Sequence, residues 1–167
     1  LLEDPIETAK VCIGVCEEAT QYVRKVLKSN PKLLSINVVG LSIGTGVASF
    51  VTNSIYKEFK IDLIDLVSPG AELAQALWVG SRTKKIRAGY EQAGYSLEEI
   101  HRLWESVDLI KNLNFIKEVP VRLTYSKSDS VIIPQQSEQV IDSINTLGPK
   151  QFKVKSNRFL GHYLTLF

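Results

Sequence analysis

A chain of 167 residues, 44% hydrophobic and 23% charged, carries enough apolar material for one folded domain with a real core, which excludes a disordered segment. Its 20 basic and 18 acidic residues leave a net charge of +2, which excludes the broad basic footprint of a nucleic-acid binder. The two cysteines exclude a disulfide framework, and no apolar run of 18 residues offers a membrane span.

The elements follow in chain order. Asp4-Pro5-Ile6-Glu7 joins an acidic N-cap, a proline at the first helical position and a glutamate three residues after the cap, so a helix starts there. Val11, Val15, Ala19, Tyr22, Val23 and Val26 continue it at helical spacing until Asn30-Pro31, and one face is expected to pack on a sheet. Cys12 and Cys16 lie four apart on this helix and read as small buried hydrophobes. Residues 33–39 then read as a strand covered on both faces.

After a glycine-rich turn, Ala48, Val51, Ile55 and Phe59 recur at helical spacing, and residues 61–67 form a second apolar strand. Such alternation predicts right-handed crossovers and an α/β sheet that is mostly parallel. Between residues 69 and 118 the strand signal gives way to helices, including a capping box at Ser96-Leu97-Glu98-Glu99, and this stretch is expected to be a helical cap inserted in a single domain spanning 1–167. Trp78, Tyr90, Tyr95 and Trp104 fall inside it and either pack a cap core or line an acyl pocket. Arg82, Lys84, Lys85 and Arg87 read as a solvated basic face. Residues 119–125 restore a strand, Pro134 opens a helix that Gly148-Pro149 closes, and residues 151–155 form a last strand leading to a loop that holds His162.

The chemistry centres on Gly40-Leu41-Ser42-Ile43-Gly44, a Gly-x-Ser-x-Gly pentapeptide between a strand and a helix. A tight turn there lifts the Ser42 hydroxyl above the sheet edge, and flanking residues without a Cβ relieve the crowding. A serine hydroxyl is a weak nucleophile and needs an imidazole as base, with a carboxylate to fix its tautomer. Asp129 and His162 each follow the carboxyl end of a strand, where the functional groups of open parallel sheets collect. Taken singly, Ser42 and Asp129 read as turn residues and His162 as a loop histidine; their serial order and strand-end positions link them. His101, between Ile100 and Arg102, reads as a surface or cap-packing residue with no catalytic part.

The order Ser42, Asp129, His162, the pentapeptide, and the stretch from Val119-Pro120-Val121 through Asp129 to Ile133-Pro134 and Gly161-His162 resemble the α/β-hydrolase fold, in its later part. That resemblance implies Ser42 as nucleophile, His162 as general base and acid, Asp129 as orienting carboxylate and the backbone N–H of Ile43 as one oxyanion donor. A second donor would come from a loop after an earlier strand, and the N-terminal strands of the fold are not in this sequence. The implied activity is hydrolysis of a carboxylic ester or thioester through an acyl-serine, with a small-molecule acyl ester as substrate and no metal or organic cofactor.

Two other readings stand beside it. One takes Gly44-Thr45-Gly46-Val47-Ala48-Ser49 as a dinucleotide loop with Asp62 or Asp65 as the ribose acid, although its third small position is Ser. The other is a catalytically silent α/β-hydrolase relative acting as a binding protein. A Walker phosphate loop is excluded, since no Lys-Ser or Lys-Thr follows the glycines. Methionine is absent and residues 164–167 stop in an uncapped apolar run, so the sequence is expected to be a piece of a longer product. With no signal-peptide pattern and few cysteines, a cytoplasmic setting is expected.

Overall fold

A computed structural model describes residues 4–162; the apolar end at 164–167 lies outside the described residues. Four strands, β1 (Asn37–Leu41), β2 (Leu63–Val67), β3 (Val121–Ser126) and β4 (Phe152–Asn157), form one sheet. Its order is β1-β2-β3-β4 and every pair is parallel. The connections are helical: α1 (Pro5–Ser29) precedes β1 and α2 (Gly44–Ile55) follows it. Then α3 (Leu73–Val79), α4 (Lys84–Gln92) and α5 (Leu97–Trp104) lie between β2 and β3, and α6 (Pro134–Leu147) joins β3 to β4. This is the alternation that the periodicity predicts.

The helix ends obey local chemistry. Asp4 accepts from the N–H groups of Ile6 and Glu7 at 2.9 and 3.2 Å, satisfying donors that a first turn leaves orphaned. The reciprocal capping box at Ser96 and Glu99 forms as read from the sequence. Gly148 closes α6 at φ 72°, a left-handed conformation that glycine adopts without steric cost.

Two departures are instructive. The first strand begins at Asn37 rather than residue 33, and Leu34 is fully exposed; pairing starts only where Leu63 stands opposite. An apolar run reports hydrophobicity, whereas a strand needs a partner backbone. The long helix α1 lies chiefly against α2 and not on the sheet, so Val11, Val15 and Tyr22 remain exposed.

Two apolar cores result. Ile64 and Leu66 of β2 and Leu123 of β3 pack with Val51 and Ile55 of α2 and with Val140 and Ile144 of α6. A second cluster joins Ala9 and Cys16 of α1 to Ala74, Tyr90, Ile100 and Trp104 of the helices after β2. Tyr90 and Trp104 meet edge to face at 6.4 Å and 89°, and the Trp104 Nε1–H donates to the Pro5 carbonyl at 3.1 Å. These contacts hold the start of α1 against the inserted helices above the carboxyl edge of the sheet. Truncating an aromatic buried this fully costs about 3–5 kcal/mol. Among the described residues no helix is long and apolar enough to cross a membrane.

Candidate active site

Ser42 sits one residue past β1, at φ 53°. A side chain in this region is strained by roughly 1–3 kcal/mol, and such strain persists only where the surroundings impose it. Here they do: the Ser42 N–H donates across to the Val67 carbonyl at 2.8 Å, and its carbonyl accepts from the Thr45 N–H at 2.9 Å and the Thr45 hydroxyl at 2.6 Å. The turn is thereby pinned to β2 on one side and to the first turn of α2 on the other. The Ser42 hydroxyl and the Ile43 N–H have no hydrogen-bond partner among the described residues.

The glycines of the pentapeptide differ in need. A Cβ on Gly40 would stand 2.7 Å from Thr45 Cα and 2.8 Å from Ala48 Cβ, but one on Gly44 would meet open space. Crowding therefore explains Gly40 and corrects the expectation for Gly44.

Asp129 and His162, 33 positions apart, meet as the sequence order predicts. His162 Nδ1 lies 2.8 Å from Asp129 Oδ2, and both side chains are buried. The other carboxylate oxygen, Oδ1, accepts from the N–H groups of Val131 and Ile132 at 2.9 and 3.0 Å. One oxygen thus shapes the loop and the second orients the imidazole. Ser128 Oγ accepts from the Gly161 N–H at 3.2 Å, tying the acid loop to the histidine loop. The structure joins Asp129 to His162, and the Ser42 hydroxyl forms no hydrogen bond with either.

A cavity of about 390 Å³ opens beside Ser42. Its walls are the face of α1 that carries Val11, Cys12, Val15 and Cys16, the elbow, α3 and residues Val131 and Ile132 of the acid loop. Val107 and Leu109 complete it.

No family model matches the sequence, and no curated protein does. Solved structures do match. Pyrococcus horikoshii acylaminoacyl peptidase superposes with a TM-score of 0.66 at 13% identity over 86% of this chain and 23% of its own. Paleococcus ferrophilus monoacylglycerol lipase gives 0.55 at 14%, over 88% and 66%. MGS-M2, an alpha/beta hydrolase enzyme from a deep-sea metagenome library, gives 0.53 at 17%, over 86% and 63%. The chain has the α/β-hydrolase fold. It spans less than a quarter of the length of the peptidase and about two thirds of the lipase.

Within this α/β-hydrolase fold the remaining sequence candidates fall into place. Of the four aromatics in the helical insertion, Tyr90 and Trp104 are buried in the second core, with Trp78 and Tyr95 packed against it. None of the four lines the cavity. Arg87 pairs with Glu91 at 2.9 Å and stacks over Trp78, as a solvated helix face does. Asp62 lies before β2, at the sheet edge away from the glycine turn, where it accepts from the Ile36 N–H at 2.9 Å. Asp65 is paired with Arg122 on the neighbouring strand. Neither carboxylate is placed to meet a ribose at the turn, which removes the geometry that the dinucleotide reading requires. Among the described residues no group of three or more His, Cys, Asp or Glu could hold a metal ion.

Sequence reasoning missed two features. Cys12 and Cys16 line the cavity beside Ser42; their helical spacing signalled burial, but not what they would face. Asp108 is buried, with Oδ1 accepting from the Leu73 N–H at 2.7 Å and Oδ2 without a hydrogen-bond partner. His101 Nδ1 stands 3.9 Å from Asp108 Oδ2 and from Glu72 Oε2. Burial raises the Asp108 carboxyl from the ordinary carboxylate range to about 6. No local signal marks a single aspartate in a short loop as buried.

Proposed function

We propose that the protein is a serine hydrolase that cleaves a carboxylic ester, or a thioester, through an acyl-serine intermediate. The observation that carries this reading is the buried 2.8 Å contact between His162 Nδ1 and Asp129 Oδ2, on the same sheet edge as a serine held at φ 53°. A buried carboxylate on Nδ1 selects the tautomer with its proton there, and the lone pair then resides on Nε2. The likeness to a peptidase and a lipase supports hydrolysis in the broad sense.

Nε2 of His162 takes the proton of Ser42 as Oγ bonds to the substrate carbonyl carbon, and the carbonyl π pair moves onto oxygen. The Ile43 N–H donates to that oxyanion. When the tetrahedral species collapses, the bond to the leaving oxygen or sulfur breaks and His162 returns the proton to it. Water repeats the sequence on the acyl-serine, releasing the acid and restoring Ser42.

A fluorophosphonate probe tests the reading, because it tags only an activated serine. Covalent labelling lost in Ser42→Ala is the expected result; a chain that is folded, unlabelled and inert towards p-nitrophenyl esters would overturn it. The second reading is a silent α/β-hydrolase relative that binds without turnover; in this structure the partner that His162 Nδ1 meets is Asp129 Oδ2. Hydrogen bonds between nucleophile and base are often long before substrate is bound, so the probe decides between the two.

A further inference from the structure

The cavity beside Ser42 carries a chemical signature. None of the described residues lining it is Asp, Glu, Lys, Arg or His. Its polar side chains are three hydroxyls and two thiols. Thr45 donates its hydroxyl proton to the Ser42 carbonyl at 2.6 Å, and the Thr83 hydroxyl is engaged by the carbonyls of Leu77 and Gly80. Ser42 is then the one lining hydroxyl without a partner among the described residues. The thiols add apolar wall: burial pushes Cys16 up to about 11 and Cys12 in the same direction, so both stay neutral near pH 7 and pack as small hydrophobes. Among the described lining residues no side chain is therefore left to pair with a charged group beyond the elbow itself.

Size sets a second limit. At roughly 30 Å³ per water-sized group, about 390 Å³ gives room for about a dozen methylene-sized units. The cavity runs from the elbow to the face of α1 that carries Val11, Cys12 and Val15. A chain esterified to Ser42 would extend along that face.

We propose that this cavity takes an uncharged aliphatic acyl chain of medium length, lying against the Cys12 and Val15 face of α1. The acyl identity rests on the serine hydrolase reading; the apolar-chain class does not.

Two measurements test it. The first needs no turnover: the rate at which N-ethylmaleimide alkylates the half-buried Cys12, followed by peptide mass spectrometry in the wild type and in Ser42→Ala. Saturating 1-decanol is expected to slow alkylation at least about tenfold in both proteins, while decanedioate at the same concentration leaves the rate unchanged, since its carboxylates would be buried unpaired. The second is kcat/KM over p-nitrophenyl esters from acetate to palmitate. It is expected to rise by about fourfold per methylene to an optimum near roughly eight to ten carbons, and Val15→Trp shifts that optimum to shorter chains. Decanol protection with no ester turnover upholds the apolar-chain class and removes the hydrolase reading. Turnover with no chain-length preference and no protection of Cys12 overturns the proposal and leaves the hydrolase reading standing.

Discussion

Asp129 serves His162 with one carboxylate oxygen and its own loop with the other: Oδ2 lies 2.8 Å from the imidazole Nδ1, while Oδ1 accepts from the N–H groups of Val131 and Ile132. Asp129→Asn keeps an oxygen that can accept the loop's N–H groups but presents an amide donor to Nδ1, forcing the imidazole towards the wrong tautomer. Ester turnover is expected to fall by roughly 10⁴ with the fold retained, whereas Asp129→Ala loses both functions and also destabilises the chain by about 1–3 kcal/mol. Steady-state kinetics beside urea unfolding of the two variants separates the roles; equal stability of both would refute the division.

Ser42 combines the proposed nucleophile with a strained backbone, and the two can be parted by substitution. Ser42→Ala keeps φ 53° and its cost. Ser42→Gly relieves it, so the glycine variant is expected to be more stable than the alanine variant by about 1 kcal/mol, with both inactive. A thermal melt compares them, and an alanine variant at least as stable as the glycine one would show that the turn imposes no strain.

Gly40 and Gly44 flank the same serine and should respond in opposite ways. A methyl on Gly40 would stand 2.8 Å from Ala48 Cβ and 2.7 Å from Thr45 Cα, so Gly40→Ala must push α2 off the strand at about 1–3 kcal/mol or more. Gly44→Ala meets open space at the first position of α2 and should be neutral or slightly stabilising. Denaturant midpoints decide, and similar losses at both sites would contradict the packing described.

Asp108 should impose a pH dependence of its own. Its carboxyl titrates near 6 in the folded chain because burial disfavours the charge, against about 4 when unfolded. Between those values the folded state holds the extra proton, so stability falls as pH rises through that window and stays reduced above it. Asp108→Asn keeps an acceptor for the Leu73 N–H without the charge. It is expected to match the wild type near pH 4 and to exceed it by about 3 kcal/mol at pH 8. Urea unfolding at several pH values measures the gap, and a constant difference would place the titration elsewhere.

Much of this was legible beforehand because its causes are local. Asp4 caps α1, Ser96 and Glu99 form a reciprocal box, and Gly148 ends α6 left-handed; each needs only residues within one helical turn. The elbow and the serial order of Ser42, Asp129 and His162 were equally open to reading, since strand-end loops of a parallel sheet share one edge. The true start of β1 was not, because Leu33 and Leu34 are as apolar as the strand residues and only a partner strand decides where pairing begins.

The sequence by itself determined the α/β alternation, the helix caps and the identity of the residues at the strand ends, all set by backbone stereochemistry and hydrophobic period over short spans. Only the tertiary structure decided that Gly40 and not Gly44 is crowded, that Asp108 is buried without a full set of partners, and that the thiols of α1 face the cavity beside Ser42. Those features arise where segments dozens of residues apart are packed together, and their free volume and missing hydrogen bonds have no counterpart in local spacing.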